Sequence, residues 1–101
     1  MSVSERIMGD RRRSVLECLS EMSSCMLNED ALLRAVLESG RHTDHDTMRD
    51  DLVFLEKRGC LRIEKLTKAD GDLWKVVLTR AGQRVAQGEQ IVSGVAQALA
   101  S

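Results

Sequence analysis

The residue types that perform catalysis occur in this 101-residue sequence, but their spacing is not that of an active site. His42 and His45 lie beside Asp44 and Asp46, and this group is the nearest approach to a metal-binding cluster. No cysteine or third histidine stands at ligand spacing from them, so we interpret the group as a solvated turn. The sequence also has no Ser/His/Asp or Cys/His arrangement and no glycine-rich phosphate loop. We therefore expect neither an enzyme nor a protein that holds a metal or cofactor.

The distribution of charge is more informative than the net charge of −1. Residues 28–59 contain five basic and eight acidic side chains, whereas residues 60–88 contain six basic and three acidic ones. A basic segment is a candidate for contact with phosphates, and an acidic segment opposes such contact. The only aromatic residues are Phe54 and Trp74, which argues against a stacking platform for single-stranded nucleic acid.

The composition indicates one globular domain. Apolar residues make up 43% and charged residues 31% of the chain, which argues against disorder. No apolar stretch has the length of a transmembrane helix, and the first residues lack the apolar core of a signal peptide. Three cysteines, an odd and unpatterned number, suit a reducing compartment. We therefore expect a soluble, cytoplasmic protein that makes no contact with a membrane.

The first predicted helix has its firm part at residues 10–22, after an N-terminal extension over residues 1–9. Ser4 is the predicted N-cap, and Gly9 is expected to weaken the first turns. The apolar residues at helical spacing are Met8, Val15, Cys18, Leu19 and Met22.

Two further helices follow closely, at the spacing of a helix-turn-helix. Asn28 is the predicted N-cap of the second helix, which ends at Ser39. Thr43 or Asp44 caps the third helix, and Gly59 closes it. The positions predicted to face the core are Leu32, Leu33, Val36 and Leu37 in the second helix and Met48, Leu52 and Leu55 in the third.

After Gly59 the apolar period changes from 3.6 to 2, which predicts a β-hairpin turning at Asp70-Gly71. The inward residues are Leu61 and Ile63 in one strand and Trp74, Val76 and Leu78 in the other. Thr79 then caps a short helix over residues 80–87. The small, apolar tail at residues 89–101 either docks on the body or on a partner, or it frays.

Three helices, a two-stranded hairpin and a short C-terminal helix are the elements of a winged helix-turn-helix. The predicted class is thus mainly α with a β-hairpin (α+β), and the domain spans residues 10–88. A short extended stretch at residues 25–27 separates the first two helices. Because an isolated hairpin is only marginally stable, its apolar face must pack on the helices.

The run from Asp46 to Leu61, DTMRDDLVFLEKRGCL, resembles the third helix and first wing strand of MarR- and ArsR-type winged-helix regulators. A narrower resemblance, over about residues 10–95, is to a family of small proteins encoded by Mu-like phages and prophages. It is carried by Leu27-Asn28-Glu29, Gly40-Arg41-His42, Asp46, Arg49, Leu55-Glu56, Gly59, Leu78-Thr79-Arg80-Ala81-Gly82, Val85-Ala86-Gln87-Gly88 and Val92-Ser93-Gly94-Val95.

This resemblance implies a winged-helix fold, a phage or prophage origin, and hence the cytoplasm of a bacterial host. It also implies binding to double-stranded DNA. The sequence departs from the family pattern at His45, where the family commonly has arginine, and at Ser93, where a proline is usual. The first departure removes an expected DNA contact.

A winged helix lays its third helix in the major groove, and the hairpin beside it follows the phosphates. Arg49 is suited to read guanine and Thr47 to bond a phosphate or thymine, with His45 at the edge of the same face. The hairpin residues predicted to neutralise phosphates are Lys65, Lys68 and Lys75. The run Arg11-Arg12-Arg13 either adds a backbone contact or pairs with acids such as Glu17. Carboxylates at positions 44, 46, 50 and 51 crowd the third helix and oppose DNA binding.

Two function hypotheses follow. The first is a phage or prophage protein that binds double-stranded DNA as a transcriptional regulator or accessory factor. It is expected to form a homodimer through the first helix and residues 90–99. The second is a protein–protein interaction module in phage packaging or morphogenesis, with no DNA binding of its own. Its candidate partner-binding residues are Val53 and Phe54, which lie on opposite flanks of the third helix. For Phe54 the alternative is extra packing within the chain.

Overall fold

The fold is that of a computed structural model, which describes residues 2–98 of the chain. Within these residues the chain forms four helices and three strands, and the sheet is antiparallel in the order β1-β3-β2. In chain order the elements are α1 (Val3–Ser20), β1 (Met26–Asn28), α2 (Glu29–Glu38), α3 (His45–Lys57), β2 (Leu61–Lys68), β3 (Gly71–Leu78) and α4 (Arg80–Ala86). The α+β class is confirmed, and the winged-helix assignment stays a prediction.

Helix α1 differs from its prediction at both ends. Its N-cap is Ser2 rather than Ser4, and the helix runs without a break through Gly9. The reason for a glycine there is close packing, because a Cβ atom on Gly9 would lie 3.2 Å from the backbone nitrogen of Ala96. The helix ends before Met22, which is 40% exposed and does not belong to the core.

Helices α2 and α3 begin at two of the predicted caps. The Asn28 side chain accepts a hydrogen bond from the backbone N–H of Ala31, and Asp44 accepts one from that of Thr47. The predicted core residues that are fully buried are Leu32, Val36, Met48, Leu52 and Leu55. Leu37 is 45% exposed, because it lies at the flank of the stripe that Leu32 and Val36 define.

The sheet joins the predicted hairpin to the short strand predicted between the first two helices. The stretch after Cys25 forms β1, where Met26 pairs with Val77 and Leu27 with Val76. The strand lies one residue later than the predicted stretch at residues 25–27, since β1 spans Met26–Asn28. The hairpin itself is confirmed: Lys68 pairs with Gly71 across the turn, and Trp74, Val76 and Leu78 are buried.

The last helix and the tail close the core. The Thr79 side chain caps α4 as predicted, and Gly82 lies so near the carbonyl of Cys60 that a Cβ atom would overlap it. Part of the tail is docked, with Val95 buried and the Ala96 N–H donating to the Gly9 carbonyl at 3.1 Å. Residues 99–101, the end of the predicted tail and of the expected dimer segment, lie outside the described residues. None of the helices in residues 2–98 has the length and apolar character needed to cross a membrane.

Candidate nucleic-acid interface

A buried carboxylate, Glu29, lies where α2, α3 and the hairpin meet. Its side chain is 1% exposed. Arg49 donates to both of its oxygens, from Nε to Oε1 and from Nη2 to Oε2, each at 2.7 Å. His45 Nε2 lies 2.7 Å from Oε1, and the backbone N–H of Trp74 donates to Oε2 at 2.6 Å. Two of the predicted DNA-contacting residues, His45 and Arg49, therefore bind the same buried carboxylate.

The position of Glu29 follows from the strand pairing. Strand β1 ends at Asn28, which pairs with Lys75 of β3. The next position along β3 is Trp74, and there the Glu29 side chain accepts the backbone hydrogen bond that a longer β1 would have accepted. The first residue of α2 thus extends the sheet by one hydrogen bond while it also binds α3.

The pair of Glu29 and Arg49 is ionised. Burial raises the pKa of Glu29, but the hydrogen bonds from Arg49 and from the Trp74 N–H outweigh burial, so the pKa lies below its ordinary value. The hydrogen bond to Glu29 raises the pKa of Arg49 in turn. The helix α2 N-terminus is also a favourable place for negative charge.

The ring of Trp74 brings a third predicted DNA-contacting residue, Lys65, into the same cluster. The Cζ atom of Arg49 lies 4.4 Å from the ring centroid, and Nζ of Lys65 lies 5.0 Å from it. Lys65 and Trp74 are cross-strand partners, so their side chains share one face of the hairpin. Arg49 Nη2 also donates to the carbonyl of Asp72 at 3.0 Å. The start of α3 is therefore attached to the hairpin directly.

A small concavity of about 170 Å³ places the hairpin turn beside the start of α3. Both His45 and Lys68 line it, so four of the six predicted DNA-contacting residues lie around Glu29 and Trp74. The acidic residues that line the same concavity with Glu29 are Asp30, Asp70 and Asp72. The cluster is thus mixed in charge rather than uniformly basic.

The other two predicted DNA contacts lie apart from this cluster. Lys75 follows Trp74 in the strand and therefore points to the opposite face, where its Nζ lies 3.3 Å from Glu64 Oε2. Thr47 is half-buried in the first turn of α3, where its backbone N–H donates to Asp44. That hydrogen bond lowers the pKa of Asp44.

The outward surface of α3 is acidic. Asp46 and Asp50 are exposed, one turn apart on the helix, and Asp44 is exposed at its N-cap. Asp46 is fully open to solvent and lies 3.9 Å from the Nδ1 atom of His45. Carboxylates repel phosphates, and among DNA bases cytosine offers them a donor in the major groove.

The two predicted partner-binding residues are in contact with the rest of the chain. The Phe54 ring lies between two guanidinium groups, 3.7 Å from Cζ of Arg12 and 4.2 Å from that of Arg58. The ring also packs so closely on Gly94 that a Cβ atom there would overlap it. Val53 is half-buried against the core. Phe54 therefore holds the tail against α1 and α3, as the packing alternative predicts.

The arginines of α1 are also used inside the molecule. Arg11 and Arg12 both contact Asp51, a carboxylate of α3 that is 1% exposed. Arg13 donates to the carbonyls of Val85, Ala86 and Ala96 and lies 3.3 Å from Glu17. The alternative of pairing with acids is therefore the one observed, because each of the three guanidinium groups contacts a carboxylate of the same chain.

The buried roles of two acidic residues were not predicted, and Asp51 does not belong with the carboxylates expected to oppose DNA, because its side chain is 1% exposed. Asp51 occurs between Met48, Leu52 and Leu55 on the core stripe of α3, and this position is a signal for a buried charge. Glu29 gives no such signal, since an acid in the first turn of a helix is usually explained by the helix dipole. The carboxylates of both residues are paired with arginines that are distant in sequence.

Among residues 2–98, no three His, Cys, Asp or Glu side chains are grouped as metal ligands. Comparison of the chain with family models, curated proteins and solved structures gives no match. The charge, burial and geometry of the cluster around Glu29 are therefore the basis for proposing a function.

Proposed function

We propose that this chain is a winged-helix protein of phage or prophage origin that binds double-stranded DNA as a transcriptional regulator or accessory factor. The observation that supports it best is the junction of α3 with the hairpin. Arg49 joins the start of α3 to Trp74 and Asp72, and Lys65 and Lys68 lie exposed on the hairpin beside this junction.

A helix and a hairpin fixed to one another suit two neighbouring surfaces of a duplex. A helix start fits the major groove, and the adjacent hairpin reaches the phosphates that border it. In this proposal Thr47 contacts the groove and His45, bound to Glu29, lies at its edge, while Lys65 and Lys68 neutralise phosphates. Lys75 contributes less, because it is paired with Glu64 on the other face of the hairpin.

The acidic surface of α3 sets the expected strength of binding. Asp46 and Asp50 would approach the same groove and repel its phosphates. With few lysines to compensate, we expect a dissociation constant in the range of about 10⁻⁴ to 10⁻⁶ M for DNA of random sequence. Binding of this kind weakens steeply as salt is added.

Fluorescence anisotropy of a labelled random-sequence duplex tests the proposal. Measured at about 50 and about 200 mM salt, the affinity of the wild-type protein should fall by at least tenfold. Lys68→Ala should weaken binding and reduce the slope of log affinity against log salt by about 0.9. Lys57→Ala is the matched control, since it removes an exposed lysine from the far end of α3. Absence of binding at the lower salt, or equal effects of the two substitutions, would refute it.

The exposed carboxylates of α3 favour a second candidate, a protein-interaction module in phage packaging or morphogenesis. Its partner would present a basic surface to Asp46 and Asp50. The double substitution Asp46→Asn and Asp50→Asn separates the two functions. It should strengthen binding to DNA if DNA is the ligand, and it should weaken capture of a basic phage protein if protein is the ligand.

A further inference from the structure

We propose that Glu29 and Arg49 form a positioning pair that fixes the hairpin against α3, and that Arg49 does not read a base. This inference rests on the proposed function, because it assigns the residue that orients the DNA-binding surface. It replaces the role expected for Arg49 from its place on the outward face of the third helix.

The hydrogen bonds of Arg49 leave it poorly suited to a base. Reading guanine requires two parallel donors on one edge of the guanidinium group. Nε and Nη2 are both used by Glu29, and Nη2 also donates to the Asp72 carbonyl. Only Nη1 makes no hydrogen bond to residues 2–98, and it cannot form such a fork while Nη2 is occupied.

Release of Arg49 to the DNA would also be unfavourable. The Glu29 carboxylate is buried, and without the arginine it would keep only His45 and one backbone N–H as partners. Removing one member of a buried ion pair is strongly destabilising, since the remaining charge is left without compensation. The pair therefore persists when the surface meets a ligand.

Three contacts show what the pair positions. Glu29 accepts from the Trp74 N–H, Arg49 donates to the Asp72 carbonyl, and the Arg49 guanidinium group lies over the Trp74 ring. All three attach to β3 on the turn side of its pairing with β1, which ends at Lys75. The half of the hairpin that carries Lys65 and Lys68 is thus oriented by this pair.

Trp74 is the single tryptophan of the chain, so its fluorescence reports on the pair without any ligand. We would compare Glu29→Gln and Arg49→Lys with Glu38→Gln and Arg34→Lys, which change exposed residues of α2. Circular dichroism would establish that each variant is folded. Acrylamide quenching of Trp74 and anisotropy with duplexes of several sequences would then be measured well below the unfolding temperature.

The inference predicts that Glu29→Gln and Arg49→Lys both increase the quenching constant of Trp74, by about twofold. Affinity should fall by about tenfold, equally for all sequences, because misplaced lysines lose phosphate contacts rather than base contacts. The controls should change neither quantity. If Glu29→Gln does not fold, Arg49→Lys decides by the same two measurements, since its side chain is partly exposed.

Two results would overturn the inference. One is unchanged quenching together with a loss of affinity for Arg49→Lys at a single base pair, which is the behaviour of a base-reading arginine. The other is tighter DNA binding by Glu29→Gln, which would mean that the acid withholds Arg49 from DNA. If the wild-type protein binds no duplex, the proposed function fails, while the quenching comparison still accepts or rejects the positioning of the hairpin.

Discussion

Asp51 of α3 and Arg11 of α1 form an ion pair that is almost closed to solvent. The Asp51 side chain is 1% exposed, and Arg11 Nη2 donates to its Oδ1 at 3.0 Å. The hydrogen bond to Asp51 raises the pKa of Arg11, which favours the charged form of the guanidinium group. Arg12 lies 3.3 Å from the same carboxylate. One acid therefore joins two helices that are distant in sequence.

Asp51→Asn should lower the free energy of unfolding by about 3 kcal/mol, since it leaves two partly buried arginines without their counter-charge. Asp50→Asn, at the exposed neighbouring position, should change it by less than about 0.5 kcal/mol. Urea unfolding followed by circular dichroism measures both. Equal midpoints for the two variants would show that the ion pair contributes nothing to stability.

The lowered pKa of Glu29 predicts a dependence of stability on acid. A carboxylate whose pKa is lower in the folded state stabilises the protein above its unfolded pKa, which is about 4.5. This stabilisation is lost as the pH falls from there through the lower folded value. Glu29→Gln should therefore lose less stability than wild type in that range, whereas Glu38→Gln should follow wild type. Thermal unfolding at several pH values would measure this, and parallel curves for wild type and Glu29→Gln would contradict it.

Gly82→Ala should destabilise the fold through overlap rather than through backbone conformation. The new Cβ atom would lie on the carbonyl of Cys60, which is backbone and cannot turn aside. We expect a loss of about 2 kcal/mol or more, although alanine is the better helix former. Gln83→Ala, at the next position of α4, is the control and should be nearly neutral. A gain in stability for Gly82→Ala would mean that the helix moves away freely.

Dimer formation through α1 stays a prediction, and the structure locates the surface that tests it. Val3 and Ile7 are 71% and 55% exposed, one turn apart in the first half of the helix. If two copies associate there, Ile7→Lys should shift sedimentation toward the monomer, with Ser4→Lys as a control on a neighbouring position. A monomeric wild-type protein at micromolar concentration would reject the prediction.

The parts of the fold that the sequence predicts correctly are those governed by neighbouring residues. Caps such as Asn28 and Asp44 act within three residues, and the core face of α3 repeats within two turns. The hairpin is visible because its strands are long enough to alternate and a glycine stands at the turn. That the short strand β1 pairs with β3 does not follow from local pattern, because the two segments are distant in sequence. The exact start of α1 depends on which of two serines caps it.

Four of the six residues predicted to contact DNA lie together, but the contacts that they make within the molecule were not predicted. His45, Arg49, Lys65 and Lys68 do lie near one another, as a helix beside a hairpin requires. That Glu29 would bind His45 and Arg49 could not be predicted, because they lie 16 and 20 residues from it and the contact depends on where β1 ends. The local sequence pattern shows which side chains are polar, whereas tertiary packing decides which of them remain free to bind a ligand.

The three hydrogen bonds that Arg13 donates to backbone carbonyls affect the order in which the chain folds. Its carbonyl acceptors at Val85, Ala86 and Ala96 come 72 to 83 residues later in the sequence. During synthesis α1 precedes these acceptors, so Arg13 has Glu17 of its own helix as a partner but lacks the three carbonyls until residues 85–96 have emerged. Contacts of such long range slow folding, because a large loop must close before they form. We therefore expect the nascent chain to reach its native packing in a late, concerted step rather than helix by helix.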